Sequence, residues 1–239
     1  DMNLFILFIY SIISFILFYF FANLAYRFNL IDKPNKRKIH KIDTAYVGGI
    51  AISITLVISN LLFNINMNNL NIILSIAFLI SIVGLIDDKF NLNAGGKLSL
   101  QIIPIFYLIV FENLYLTNLG SYNFIIVELG TFSIPFTLVC VLFLINAFNY
   151  FDGMDGTLSF TTISTLGMLF FLLPDHIFRL YLITIILPIC VFLFFNFSLF
   201  KLPKIFLGDS GSLLLGFIVS FLLIYLAKRN FVHPILLAW

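Results

Sequence analysis

The chain has 239 residues, of which 62% are hydrophobic and only 10% charged, and its mean hydropathy is +1.12. That composition excludes a soluble domain, which would carry far more charge, and implies a polytopic membrane protein. A net charge of +2 is too small to argue for nucleic acid, and the two cysteines, Cys140 and Cys190, sit singly inside apolar runs without disulfide or metal spacing.

The first apolar run, 4–24, has membrane-crossing length and lacks the basic n-region and small-residue cleavage site of a signal peptide. Further runs lie near 47–63, 70–86, 98–112, 134–149, 157–173, 178–197 and 211–227, and a ninth begins near Pro234. The expected fold class is therefore all-α: a polytopic membrane protein with eight complete transmembrane helices and the start of a ninth, forming one domain over 1–239. The run from Leu98 is short and carries Pro104, where a kink is expected. Between Gly120 and Thr131, β-branched and apolar residues bounded by glycines predict a small external β-hairpin. The chain starts at Asp1 and stops a few residues into the ninth run, so both ends read as cuts and a fragment is expected.

Lys and Arg set the expected orientation. Arg27, Lys33, Lys36, Arg37, Lys38 and Lys41 fall in the first loop, Lys89 and Lys97 after the third run, and Lys201 and Lys204 after the seventh. If the runs alternate, all of these share one side, and the other side holds only Arg179, Lys228 and Arg229. The N-terminus is then outside and the basic loops are cytoplasmic.

Most of the acids fall on that same cytoplasmic side: Asp32, Asp43, Asp87, Asp88, Asp152, Asp155 and Asp209. Asp32 and Asp43 have basic neighbours and read as ordinary loop charges. The other five sit where a helix meets the cytoplasm, where a carboxylate is costly and a functional reading is the default. Asp87 and Asp88 are adjacent, and adjacent acids can point in different directions, so that one can bind a metal while the other faces substrate; a plain helix-end charge cluster is the equal alternative. Asp152 and Asp155 are three apart, on one face if helical, with Asn146 and Asn149 on nearly the same face. Gly153 and Gly156 beside them let a ligand approach the backbone.

Gly208-Asp-Ser-Gly-Ser212 opens the last complete run, where free N–H groups at a helix N-terminus make an anion site. Asp209 would repel a bare phosphate there, but a divalent ion between hard oxygens makes the arrangement favourable. The plainer reading of Asp209 is a helix cap. Lys89 and Lys97, in the loop beside the acid pair, are candidate phosphate ligands or snorkelling cations. The run Lys36–Lys41, with His40, reads as an orientation signal, an anionic-lipid patch or a nucleotide collector. Phe206 is an aromatic in a Phe-rich chain that could stack on a base.

Taken in order, Asp32-Lys-Pro-Asn35 with His40, Val47-Gly-Gly-Ile50, Asp87-Asp-Lys89, Asn146 through Gly156 and Phe206-Leu-Gly-Asp-Ser-Gly-Ser-Leu213 resemble the polyprenyl-phosphate N-acetylhexosamine-1-phosphate transferases, glycosyltransferase family 4. The ordered set covers nearly the whole chain. The stretch Asn146–Gly156 looks more like the UDP-N-acetylglucosamine branch than the phospho-N-acetylmuramoyl-pentapeptide branch. The resemblance implies transfer of a sugar-1-phosphate from a UDP-N-acetylhexosamine to undecaprenyl phosphate, with release of UMP, in the bacterial cytoplasmic membrane. It implies Mg²⁺, with Mn²⁺ as a substitute. It assigns the metal to Asp209, with Asp152 beside it, and the catalytic centre to Asp87, Asp88, Asn149, Asp152 and Lys97. Gly153, Met154, Asp155 and Phe206 match uracil contacts; Lys41, Lys89 and Asn146 are further substrate-binding candidates. Direct attack on the β-phosphorus with Asp87 as base is favoured over an aspartyl-phosphate route. The oligomeric state is left open, a homodimer included.

Two departures from the family pattern stand out. Ala45 occupies a position that is usually Pro, and no His-rich loop is present: His40, His176 and His233 are isolated. A cation-coupled transporter is the competing class; it would place acids at mid-membrane depth in broken helices, whereas these cluster at one face. Within the enzyme reading, a muramoyl-pentapeptide donor is the alternative.

Overall fold

The structure is a computed structural model that describes residues 4–33, 43–63, 68–122, 125–173, 175–229, 231 and 233. Each complete apolar run folds as an α-helix: α1 (Leu4–Phe28), α2 (Gly48–Leu62), α3 (Asn68–Phe90), α4 (Ala94–Val110), α5 (Ser133–Phe151), α6 (Thr157–Leu172), α7 (His176–Asn196) and α8 (Gly208–Lys228). Five of them, α1, α3, α5, α7 and α8, are long and apolar enough to cross a membrane. The other three are apolar but shorter, at 10–17 residues. The expected ninth run lies outside the described residues.

The bundle is built around α8. Every residue of this helix from Ser210 to Ala227 is buried, and α3, α5 and α2 pack directly on it. By contrast α1, apolar on all sides, leaves Phe5, Phe8, Phe15 and Phe20 exposed while burying Tyr10 and Phe18. A helix apolar all round with one face on protein leaves the other face for lipid. Away from the cavity, hydrogen bonds between the described helices include Tyr10 Oη donating to the Thr184 carbonyl at 2.9 Å, Tyr181 Oη to the Leu70 carbonyl at 3.0 Å, and Ser81 Oγ to Ser53 Oγ at 2.9 Å.

Glycines let the backbones of α2, α3 and α5 approach α8 closely, since lipid gives apolar side chains no reason to leave it and helices associate through tight packing. Gly49 of α2 lies against Gly211, and Gly84 of α3 lies against the Asp209 carbonyl. A Cβ at Gly84 would fall 2.5 Å from Ser210 Cα, and one at Gly216 would fall 2.9 Å from Ile145 Cα. The first turn of α8 is thus wedged between two helices at glycine contacts.

Two antiparallel strand pairs complete the fold. β3 (Asn118–Tyr122) pairs with β4 (Ile125–Glu128), which is the expected hairpin started two residues earlier. The other pair, β1 (Ile31–Asp32) with β2 (Thr44–Ala45), has no period visible in two-residue strands. From β2 the chain ties to the segment before α8: Ala45 bridges Ile205, and Phe206 N–H donates to the Ala45 carbonyl at 2.8 Å. Gly48 and Gly49 N–H then donate to the carbonyls of Phe206 and Leu207 at 3.0 and 2.9 Å, closing the open N-terminus of α2. Pro104 lies inside α4 without ending it, although its missing N–H removes the helical bond to the carbonyl of residue 100.

Candidate active site

The site forms where α3 ends, α4 begins and α8 starts. Asp87, in the last turn of α3, accepts from the Leu92 N–H at 2.9 Å, which fixes the turn leading into α4. Asn93 caps α4, accepting from the Gly96 N–H at 2.7 Å. This start places Lys97 in the first turn of α4, not in a loop as the sequence suggested. Its Nζ lies 2.6 Å from Asp87 Oδ2 and 2.7 Å from Asp209 Oδ2, and it donates to Asn149 Oδ1 at 3.0 Å. One ammonium group, its side chain only 13% exposed, therefore joins α3, α5 and α8. Asn149 in turn donates to Ser212 Oγ at 2.8 Å, tying α5 to the first turn of α8.

Asp88 does something different from its neighbour. Its two carboxylate oxygens accept the backbone N–H groups of Asp209 (3.0 Å) and Ser210 (3.2 Å). A carboxylate from α3 thus caps α8 from outside, and the N-terminal half of the helix dipole favours it there. This corrects two readings. Asp209 is not the cap of its own helix, because it lies in the first turn and the capping position is Leu207, which makes no side-chain cap bond. Asp88 also fills two of the first N–H groups of α8, those of Asp209 and Ser210, so these two are not open to an anion. Gly208 has φ of +72°, a left-handed conformation suited to glycine, where the chain enters α8 beside Asp88.

The residues Asp152 to Gly156 form a non-helical link between α5 and α6. The expectation that Asp152 and Asp155 share a helix face therefore fails: α5 ends at Phe151. Asp155 instead accepts from Lys204 Nζ at 2.6 Å, and the same ammonium sits 5.2 Å from the centre of the Phe206 ring. Asp152 turns toward the acidic cluster. Burial, with Asp209 and then Asp155 nearby, pushes its carboxyl up to about 7.

These groups surround a cavity of about 1140 Å³. Asp87, Asp88, Asp152 and Asp209 line it, with Lys89, Gly153, Met154, Asp155 and Phe206. A Cβ at Gly153 would meet open space, so the link is accessible along its backbone. Of the residues singled out in the sequence, Lys97 and Asn149 stand behind the lining and hold Asp209. Asn146 is not in the lining; it donates to Gln101 Oε1 at 3.0 Å and to the Leu142 carbonyl at 2.8 Å. Lys41, with His40, lies outside the described residues.

The cavity also contains residues that were not selected from the sequence. Asp32, read as an ordinary loop charge, lines it through the β1–β2 pair. Ser159 and Asn196 line it with Ser159 Oγ and Asn196 Oδ1 buried and without a hydrogen-bond partner. Asn29, Tyr46 and Lys204 line it as well. The polar character of Ser159 and Asn196 inside apolar runs was the signal for them, since buried polar atoms are normally paired.

Among the described residues, no three His, Cys, Asp or Glu side chains converge as a metal cluster. Mg²⁺ seldom uses such a cage; it takes one or two carboxylates and completes its shell with water and substrate phosphates. Asp209 and Asp152, hard oxygen donors on the wall of an open cavity, fit that pattern.

The profile of the family described as glycosyl transferase family 4 matches residues 70–227. A protein of Escherichia coli O157:H7 named undecaprenyl-phosphate alpha-N-acetylglucosaminyl 1-phosphate transferase is 31% identical over 228 residues, covering 92% of this chain and 61% of its own length. The protein of the same name from Yersinia pestis is 31% identical over 216 residues, covering 88% and 59%. That from Salmonella typhi is 30% identical over 232 residues, covering 93% and 63%. The chain spans about 60% of the length of these curated relatives.

Proposed function

The chain belongs to glycosyl transferase family 4, and from that membership and the geometry of the acidic cavity we propose that it transfers N-acetylglucosamine-1-phosphate from UDP-N-acetylglucosamine to undecaprenyl phosphate, releasing UMP. The observation that carries this reading is the convergence of Asp87, Lys97 and Asp209 from three helices at one end of the bundle, with the two carboxylates on the wall of a cavity large enough for a nucleotide sugar and Lys97 behind them. In this reading the end of the bundle that holds the cavity faces the cytoplasm, where a UDP-sugar is supplied; the Lys and Arg distribution along the chain supports that orientation. That placement at one face disfavours a transporter, whose cation site belongs at mid-depth.

In the reaction, a phosphate oxygen of the lipid forms a bond to the β-phosphorus of the UDP-sugar. The bond from that phosphorus to the bridging oxygen breaks, and UMP leaves with the electron pair. Asp87 takes any proton still on the attacking phosphate. Asp209 and Asp152 are the residues that would hold Mg²⁺, which when bound neutralises diphosphate charge. Lys97 keeps Asp209 and Asp87 at fixed separation, and Asn149 orients it. Gly153 to Asp155, with Phe206, hold the uridine, and the Asp155–Lys204 pair lies at the same wall.

The test is transfer in membranes carrying the chain, given UDP-N-acetylglucosamine with label in the sugar, undecaprenyl phosphate and Mg²⁺. Labelled lipid with stoichiometric UMP is expected. No lipid product, with the chain shown by immunoblot to be inserted, overturns the reading. A lipid product only from UDP-N-acetylmuramoyl-pentapeptide overturns the choice of sugar.

A further inference from the structure

Gln101 lies in α4 one turn beyond Lys97, and Asn146 lies in α5 about one turn before Asn149. The two helices are therefore joined by two side-chain rungs: Lys97 Nζ to Asn149 Oδ1 at 3.0 Å, and Asn146 Nδ2 to Gln101 Oε1 at 3.0 Å. The second rung is an odd thing to find in this environment. Gln101 is fully buried, and its Nε2 has no hydrogen-bond partner. An apolar side chain of similar size would leave no donor stranded. Stability alone does not account for a glutamine here.

Its place in α4 does account for it. Pro104 follows three residues later and removes a helical hydrogen bond, so the first half of α4 is less firmly held to the second. That first half carries Lys97. A side chain bonded across to α5 just before the weak point fixes the stretch that Lys97 stands on. Asn146 is itself anchored, through the Leu142 carbonyl one turn back on α5.

We propose that Gln101 and Asn146 are a positioning pair which locks the first half of α4 onto α5 and so holds Lys97 between Asp87 and Asp209. Neither side chain lines the cavity, so both act through Lys97 and not on substrate. Their effect on turnover rests on the transfer reaction proposed above; their effect on Lys97 does not.

Two measurements test the pair in the full chain in detergent. The first is the rate at which an amine-acylating reagent modifies Lys97, followed by mass spectrometry with Lys204 as internal control. In Gln101→Leu, Lys97 is expected to react severalfold faster than in wild type, Lys204 is expected to be unchanged, and the apparent melting temperature is expected to hold or rise. The second is kinetic. Gln101→Leu is expected to lower kcat by about 10- to 100-fold at nearly constant donor KM, as for a misplaced group that acts in the transition state. The exchange variant Gln101→Asn with Asn146→Gln, which keeps the combined reach, is expected to restore both rates. Unchanged Lys97 labelling in Gln101→Leu overturns the proposal, as does a fall in kcat that only follows a fall in melting temperature. A wild-type chain with no transfer activity overturns the proposed function instead, and the Lys97 labelling then decides this inference by itself.

Discussion

Single residues in the site divide by what holds them. Asp209 has Lys97 on its carboxylate and Asp88 on its backbone N–H. Asp209→Asn is expected to reduce transfer by about 10²–10³-fold, the range for losing one main electrostatic group, while the chain stays folded. Asp87→Asn is expected to abolish exchange of labelled UMP into UDP-sugar; substantial surviving exchange would remove Asp87 from the role of base. Asp152 gives a pH dependence with a definite sign. Its carboxyl sits at about 7, above its ordinary 3.8, because burial disfavours the charge. Between these values the folded chain keeps a proton on Asp152 that the unfolded chain releases, so the contribution of Asp152 to stability falls as pH rises from about 4 to about 7 and is level above. In EDTA the apparent melting temperature is therefore expected to climb when pH is lowered from 8 toward 5, by the equivalent of a few kcal/mol at most. Asp152→Asn is expected to flatten that slope. The acids of this set were legible in the sequence because charge stands out in an apolar chain. Asp88's attachment to α8 and Asn146's to Gln101 were not, since each joins residues far apart in the chain and leaves no local pattern.

At the level of helices, the apolar runs were legible nearly to their ends, because length and hydropathy decide whether a segment can cross a bilayer. What they did not disclose was which helix lies in the middle. α8 has no polar face and no apolar face to point it inward; its position is written in glycines on its neighbours. Gly49→Ala is expected to be damaging, since the new methyl would overlap the Gly211 backbone, which cannot move aside like a flexible side chain. A loss of about 1–3 kcal/mol or more is expected from overpacking, read as a lower melting temperature and reduced transfer. Gly167 in α6 makes the contrast: a Cβ there meets open space, so Gly167→Ala is expected to leave stability equal or slightly higher by up to about 1 kcal/mol. Asp88→Ala removes the cap that α3 supplies to α8 and is expected to cost about 1–2 kcal/mol. Equal stability in Gly49→Ala would show that α8 is free to shift.

For the molecule as a whole, the charge distribution orders the two ends of the bundle. Lys201 and Lys204 stand at the end that holds the cavity, and the β3–β4 hairpin stands at the other. In a chain carrying either Ser121→Cys or Lys201→Cys, an impermeant maleimide applied to intact cells is expected to label the first. The second is expected to react only after permeabilisation. The reverse pattern would invert the topology and separate the cavity from cytoplasmic UDP-sugar.

The central place of α8 also bears on biogenesis. Of the described helices it is the last to leave the ribosome, yet the others are arranged around it. At ordinary synthesis rates α1 waits on the order of ten to forty seconds before α8 is complete. Until then Gly84 and Asn149, which lie against the first turn of α8 in the folded chain, have no α8 to meet. Insertion of α8 therefore brings together, in one late step, the α2, α3 and α5 faces that pack on it in the folded chain.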